Sequence, residues 1–202
     1  MALFNIPYEI CPADIDESQY EGELPKVYVR RMASEKADAI DKIKNGLIVA
    51  ADTIVVYQGE ILGKPENQLE AREILTKLRG KTHQVYTGMA LIDTMFGLTW
   101  DDICCTLVPM REYSNAEIDA YIATDDPMDK AGAYGIQHAG FRPVNHLAGC
   151  YASVMGMPLC HLAVGLKKMG MKVDLKIAEL CQHTLGYECP VWEEILNQRL
   201  QN

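Results

Sequence analysis

One apolar run places the strongest constraint on how this chain can fold. Residues 47–57, LIVAADTIVVY, are rich in Val and Ile and have the length of a buried strand. Two polar residues, Asp52 and Thr53, lie inside the run. Because an unpaired carboxylate is costly to bury, we expect a positively charged group or a hydrogen-bond donor to balance the charge of Asp52. A metal ion or a group of lysines would do so, and a structural ion pair or a helix cap is an almost equally good reading.

Helix and strand signals follow on both sides of this run. Helices are predicted over residues 25–44, which open with a Pro and stop before Gly46, and over 69–79, with Asn67 as the N-cap. Residues 82–92 and 98–109 are β-rich and joined by a short loop, which predicts an antiparallel pair. Ser114 and Glu117 form a capping box for a helix over 115–123. A strand over 141–147 and a helical C-terminal region complete the prediction.

Alternating helices and strands indicate an α/β fold in which helices cover the faces of a mixed sheet. A length of 202 residues suits a single domain, residues 1–202, which could form two lobes around a central cleft. No apolar run approaches the roughly 20 residues of a membrane helix, and the N-terminus does not resemble a signal or transit peptide. We therefore expect a soluble, cytoplasmic protein without membrane partners.

Charge and cysteine content narrow the class of ligand. The net charge of −9 opposes binding to a nucleic-acid backbone or an anionic membrane. A polyanionic ligand would therefore need a local concentration of lysines together with a metal. The seven cysteines include no CxxC pair, so we interpret them as core thiols. Cys181, His183 and Cys189 have the wrong spacing for a zinc site.

The common phosphate and hydrolase motifs are absent. Residues 59–64 and 80–82 each imitate part of a P-loop, but the first is one residue short and is followed by Pro65, and the second enters a strand. The chain contains no HExxH, GxSxG or GxGxxG. What remains is a scattered set of acids and lysines of the kind that phosphoryl chemistry uses. The set comprises Asp14, Asp16, Glu17, Lys36, Asp52, Lys64 and Lys130. Spacing alone does not separate it from ordinary surface charge.

Four blocks of sequence resemble the Maf family of nucleotide pyrophosphatases. Residues 50–88, AADTIVVYQGEILGKPENQLEAREILTKLRGKTHQVYTG, contain ADT, GKP and G-x-T-H-x-V-x-T-G in the family's order. Residues 121–159 contain DKAGAYGIQ, GCY and V-x-G-x-P-L. Upstream, DIDE at 14–17 and EKA at 35–37 match as well. The resemblance implies a fold like that of the inosine-triphosphate pyrophosphatases. It also implies a cytoplasmic enzyme, often a homodimer, that cleaves nucleoside triphosphates between the α and β phosphates.

The resemblance also implies roles for single residues. Asp52 would accept the proton of the attacking water, and Glu17 would help Asp52 to hold a divalent metal cation, Mg²⁺ or Mn²⁺. Lys36, Lys64 and Lys130 match the family's phosphate-facing lysines. Thr53 and Gln137 match the positions that set base preference, which favours dTTP and UTP, with modified pyrimidines as further substrates, over 7-methyl-GTP.

Each assignment has a simpler alternative. Lys36 could belong to a solvated helix face, Lys130 could pair with Asp129, and Gln137 could cap a turn. His83 and His138 are more readily explained as packed or solvated residues than as catalytic ones.

The match breaks at the N-terminus. The family opens with a strand and a Ser-x-Ser-Pro-Arg-Arg motif whose arginines would contact the triphosphate, and neither is present here. Without that strand, its neighbours should keep open hydrogen-bonding edges. Either the native start lies upstream, or the short form is genuine and weakly active or inactive. The alternative function is therefore a catalytically impaired nucleotide-binding regulator of septum formation.

Overall fold

The apolar run forms the strand β1 (Leu47–Tyr57), as predicted. It lies in a sheet with β2 (Glu60–Leu62), β3 (Thr82–Asp93) and β4 (Leu98–Pro109), in the order β2-β1-β3-β4. Every pairing within this sheet is antiparallel. The sheet is seen in a computed structural model, which describes residues 4, 6–42, 44–173 and 176–198.

Helices flank the sheet, so the predicted α/β fold is confirmed. The described helices are α1 (Pro25–Asp41), α2 (Gln68–Leu78), α3 (Asn115–Ile122), α4 (Tyr151–Val154), α5 (Leu159–Lys168), α6 (Ile177–Leu185) and α7 (Trp192–Gln198). α1 packs on one face of β1 and β3, and α4 and α5 pack on β3 and β4. Within the described part of the chain, no helix is both long and apolar enough to cross a membrane.

The alternation of side chains along β1 separates two environments. Ile48, Ile54 and Val56 pack in the clusters that contain α1. Val55, in contrast, packs with α2, α3 and the Gly-rich segment that follows α3. Because consecutive strand residues point to opposite faces, Asp52 lies on the α1 side of the sheet and Thr53 on the other side.

Helix α1 lies close to the sheet at Gly88. This residue is paired with Asp52 in the β1–β3 ladder. A Cβ atom at Gly88 would lie 2.5 Å from the carbonyl oxygen of Val29 in α1, so any side chain here would push the helix away. The glycine therefore sets the distance between α1 and the strand position that holds Asp52.

The predicted caps are present. Asn67 accepts a hydrogen bond from the backbone N–H of Glu70 at 3.0 Å and so caps α2. The reciprocal bonds of a capping box join Ser114 and Glu117 at the start of α3. These bonds satisfy N–H groups that the first helical turn leaves without partners.

The predicted strand over residues 141–147 is wrong. The segment makes a single β-bridge, between Val144 and Met110, and is otherwise irregular. Its carbonyl groups are used by Arg111, whose side chain donates to the carbonyl oxygens of Phe141 and Arg142 and whose backbone N–H donates to that of Pro143. Pro143 also lacks the N–H that a ladder would need.

A buried histidine leads to a prediction about acid stability. His83 is 2% exposed, and burial lowers its pKa from 6.5 to about 4. Its Nε2 lies 2.8 Å from the Tyr134 hydroxyl, and its Nδ1 has no described hydrogen-bond partner. As the pH falls from about 6.5 to about 4, the His83 imidazole takes up a proton in the unfolded chain but stays neutral in the folded chain. The free energy of unfolding should therefore drop by up to about 3 kcal/mol over this window.

Urea unfolding at several pH values between 7 and 4 measures this loss. His83→Gln should make the profile less steep because glutamine does not titrate. The same change at the exposed His146 should leave the profile as it is in the unaltered protein. Parallel profiles for the unaltered protein and His83→Gln would contradict the assignment.

Candidate functional site

The charge of Asp52 is balanced by Lys36. Lys36 lies on α1, and its Nζ is 2.7 Å from Oδ1 of Asp52. The side chains are 20% and 12% exposed, respectively, so the pair is largely shielded from water. The compensation that the sequence demanded is thus provided by a lysine.

Glu17 joins the same lysine from a segment without regular structure. Its Oε1 lies 2.8 Å from Lys36 Nζ, and its side chain is 52% exposed. The segment is held against α1 by the Tyr28 hydroxyl, which donates to the backbone carbonyl of Glu17 at 2.7 Å, and by Arg31, which donates to that of Ser18. Two carboxylates therefore converge on one ammonium group.

The balance of charges favours a further cation here. Burial alone would lower the pKa of Lys36, but the hydrogen bonds that its ammonium group donates to Asp52 and Glu17 outweigh burial and raise that pKa above its ordinary value. With Lys36 protonated, the three groups sum to one negative charge. Burial, and then the charges of Asp52 and Glu17, raise the pKa of the neighbouring Tyr28 hydroxyl.

The donor set suits a hard divalent cation that is shared with a phosphate ligand. Mg²⁺ is commonly bound by one or two carboxylates and completed by water and phosphate oxygens. Glu17 and Asp52 provide two such carboxylates, which both contact the ammonium group of Lys36. Among the described residues, no group of three or more His, Cys, Asp or Glu side chains is arranged to hold a metal without further ligands.

A cleft opens beside this cluster, along the free edge of β1. β2 pairs only with residues 55–57, so residues 47–54 have no strand partner on that side within the described chain. The cleft has a volume of about 620 Å³ and is lined by Lys36, by residues 47–51 of β1 and by residues 6–11. Such a volume is typical of small-molecule sites.

Lys64 and Lys130 lie on two loops that contact each other. The backbone N–H of Gly132 donates to the carbonyl oxygen of Gly63 at 3.0 Å. A Cβ at Gly132, where φ is +70°, would lie 2.8 Å from the Val55 side chain, so only glycine lets this loop approach β1.

Lys64 is exposed. Lys130 Nζ lies 2.6 Å from Asp129 Oδ1 and 3.1 Å from Asp126 Oδ1, which is the ion pair that the simpler reading anticipated.

The two predicted base-selecting residues lie elsewhere. Thr53 is on the opposite face of β1 from Asp52, and its Oγ1 is 2.9 Å from Oγ1 of Thr87. Gln137 is exposed and lines a separate hollow of about 440 Å³ with Arg142 and His146. The described contacts thus unite Asp52, Lys36 and Glu17, and join the loops of Lys64 and Lys130, but do not bring Gln137 to them.

Sequence reasoning missed two residues that support these positions. Tyr28 anchors the Glu17 segment, and its spacing of eight residues from Lys36 on one helix face was the available signal. Thr87 faces Thr53 across the β1–β3 ladder. Only the strand register reveals that pairing, because the two residues lie far apart in the chain.

Replacing Lys36 with Met should lower stability because it leaves Asp52 shielded and without its cation. We expect the free energy of unfolding to fall by about 1–3 kcal/mol. The matched control is Lys44→Met, because Lys44 pairs with Glu9 at 2.9 Å but the two side chains are 44% and 69% exposed. That pair should contribute little to stability because both side chains are open to water. Urea unfolding at pH 7 compares the two variants, and equal losses would contradict a shielded pair at Asp52.

Comparison with known proteins identifies the family of the chain. The family model for Maf-like proteins matches residues 1–169. A dTTP/UTP pyrophosphatase of Bacillus cereus (strain AH187) is 41% identical over 174 residues, which are 86% of this chain and 90% of the relative. A dTTP/UTP pyrophosphatase of Bacillus anthracis (strain CDC 684 / NRRL 3495) is 40% identical over the same shares of the two chains. The chain therefore belongs to the Maf family.

Proposed function

We propose that this protein is a nucleoside triphosphate pyrophosphatase that converts dTTP and UTP to the monophosphate and pyrophosphate. The observation that carries the proposal is the convergence of Asp52 and Glu17 on Lys36 beside the cleft along β1. The relatives that share about two fifths of its sequence are named dTTP/UTP pyrophosphatases. A shielded acid, a second acid and a fixed cation suit hydrolysis of a phosphoanhydride.

In the proposed reaction, Asp52 acts as the general base. Its carboxylate accepts a proton from a water molecule as the water oxygen forms a bond to the α phosphorus. The bond from that phosphorus to the bridging oxygen breaks, and pyrophosphate leaves with the bonding electrons. Lys36 holds Asp52 in place and offsets charge on the phosphate oxygens. Lys64 and Lys130 are proposed to bind the remaining phosphates, for which Lys130 would exchange its bonds to Asp126 and Asp129.

Glu17 and Asp52 are proposed to hold Mg²⁺ or Mn²⁺ when the substrate is bound. The cation would neutralise charge on the phosphate oxygens and thereby stabilise the transition state. Thr53 and Gln137 are proposed to set the preference for pyrimidines over 7-methyl-GTP. No described contact joins Gln137 to Asp52, so its role would require the nucleotide to extend towards it or the loop to move.

Asp52→Asn should remove nearly all activity because an amide cannot accept the proton. With dTTP or UTP and Mg²⁺, release of pyrophosphate should fall by about 10²–10⁴-fold. Asp38→Asn, at an exposed position on the same helix as Lys36, is the control and should retain full activity. CTP and 7-methyl-GTP complete the panel and should be poorer substrates. If the unaltered protein binds nucleotide and cleaves none, the regulatory alternative replaces the enzyme.

Glu17→Gln should weaken the binding of metal because it removes one of the two proposed carboxylate ligands. The Mg²⁺ concentration that gives half-maximal activity should rise by about 10-fold or more. Glu21→Gln alters an exposed glutamate of the same segment and should leave the concentration unchanged. Chelation with EDTA should abolish turnover in all three proteins. An identical Mg²⁺ dependence for Glu17→Gln and the unaltered protein would remove Glu17 from the metal site.

A further inference from the structure

A chain of hydrogen bonds leads inward from Thr53, on the face of β1 opposite Asp52. Thr53 Oγ1 lies 2.9 Å from Thr87 Oγ1 on β3, and Thr87 Oγ1 lies 2.7 Å from the backbone carbonyl oxygen of Ser153 in α4. Thr87 and Ser153 are completely buried, whereas Thr53 is half-buried. These hydrogen bonds therefore link the half-buried side chain of Thr53 to the buried carbonyl group of Ser153.

The chemistry of the last link fixes the direction of every bond. A carbonyl oxygen carries no hydrogen, so the 2.7 Å contact with Ser153 requires the hydrogen of the Thr87 hydroxyl. Thr87 then has only lone pairs left for Thr53. The hydrogen in the 2.9 Å contact between the threonines must therefore come from Thr53.

The carbonyl of Ser153 is held firmly in place. It also accepts the backbone N–H of Gly156 at 3.0 Å. The Ser153 hydroxyl donates to the carbonyl oxygen of Cys150 and lies 2.7 Å from the hydroxyl of the buried Thr106. If the Thr87 hydroxyl turned its hydrogen towards Thr53, the lone pairs of Thr87 Oγ1 and of the Ser153 carbonyl oxygen would face each other at 2.7 Å, which is costly.

Thr53 thus offers only lone pairs to a ligand. Gly156, where φ is +100°, lies beside this hydroxyl, and a Cβ atom there would be 3.4 Å from Thr53 Oγ1. The glycine leaves this side of the hydroxyl uncovered. A group that binds there must bring its own hydrogen.

We propose that Thr87 is a positioning residue that makes Thr53 an obligate hydrogen-bond acceptor, and that this polarity selects pyrimidines carrying a hydrogen on N3. The proposal rests on the proposed function, in which Thr53 contacts the base. The pairing edge of uracil or thymine has one donor, N3–H, between two carbonyl acceptors. An acceptor-only hydroxyl can therefore engage that edge only at N3. Cytosine carries its donor on the amino group at C4 and a lone pair at N3, so a cytosine placed with N3 at Thr53 would bring two sets of lone pairs together and bind less well.

The test compares the kcat/KM values for UTP and CTP, which share the ribose and the triphosphate and differ only at ring positions 3 and 4. Thr87→Val keeps the branched shape on the strand but removes the acceptor, so the Thr53 hydroxyl can turn its hydrogen towards the base. The preference for UTP over CTP should fall by at least about tenfold. Thr87→Ser restores the hydroxyl and should keep the preference within about twofold. Melting temperatures identify any variant that is not folded, and Thr87→Ala replaces the valine variant in that case.

Two further measurements separate polarity from mere packing. N3-methyl-UTP lacks the hydrogen, so the unaltered protein should cleave it at least about tenfold less efficiently than UTP. Thr53→Val should reduce the preference for UTP, and adding Thr87→Val to it should change the preference no further, because Thr87 acts through Thr53.

The outcomes distinguish this proposal from the function on which it rests. If the unaltered protein cleaves UTP and folded Thr87→Val keeps the full preference, the positioning role is wrong and the pyrophosphatase stands. Equal cleavage of UTP and N3-methyl-UTP would likewise overturn the proposed selection for a hydrogen on N3, and only that. If the unaltered protein cleaves no triphosphate, the proposed function fails and this inference fails with it.

Discussion

The ion pair between Asp52 and Lys36 is the interaction around which the rest of the site is arranged. A carboxylate in the middle of an apolar strand is tolerable only if a cation reaches it, and that cation comes from α1 at 2.7 Å. The helix can lie this close because Gly88, the ladder partner of Asp52, has no side chain. One glycine, one lysine and one acid are thus interdependent, and Glu17 joins the lysine from outside.

The two faces of β1 carry different parts of the proposed chemistry. Asp52 faces Lys36 on α1, while Thr53 faces the buried hydroxyl of Thr87, which donates its hydrogen inward to the carbonyl oxygen of Ser153. Successive strand residues always diverge in this way, so a ligand that contacts both must lie along the edge of the strand. The edge of residues 47–54, which is open within the described chain, borders the cleft. Ordinary strand geometry thus lets one edge serve phosphate chemistry and base recognition together.

Local signals predicted much of this fold. The strand β1, the cap of Asn67 and the Ser114–Glu117 box depend on neighbouring residues and were all predicted correctly. The segment 141–147 was not, because the distant Arg111 takes up its carbonyl groups. The need for a partner at Asp52 was also evident from the sequence, whereas its identity came only from the family resemblance and the packing of α1. The contribution of Thr87 depends on strand register, which local patterns do not encode.

The arrangement of the site can be tested directly by a crystal structure with Mg²⁺ and α,β-imido-dUTP, a nucleotide that cannot be cleaved between its α and β phosphates. In that structure the α phosphate should lie beside Asp52 and Lys36, with the metal between Glu17 and Asp52 and the uracil N3 facing Thr53. A nucleotide bound instead in the hollow of Gln137 and His146, away from Asp52, would contradict this arrangement.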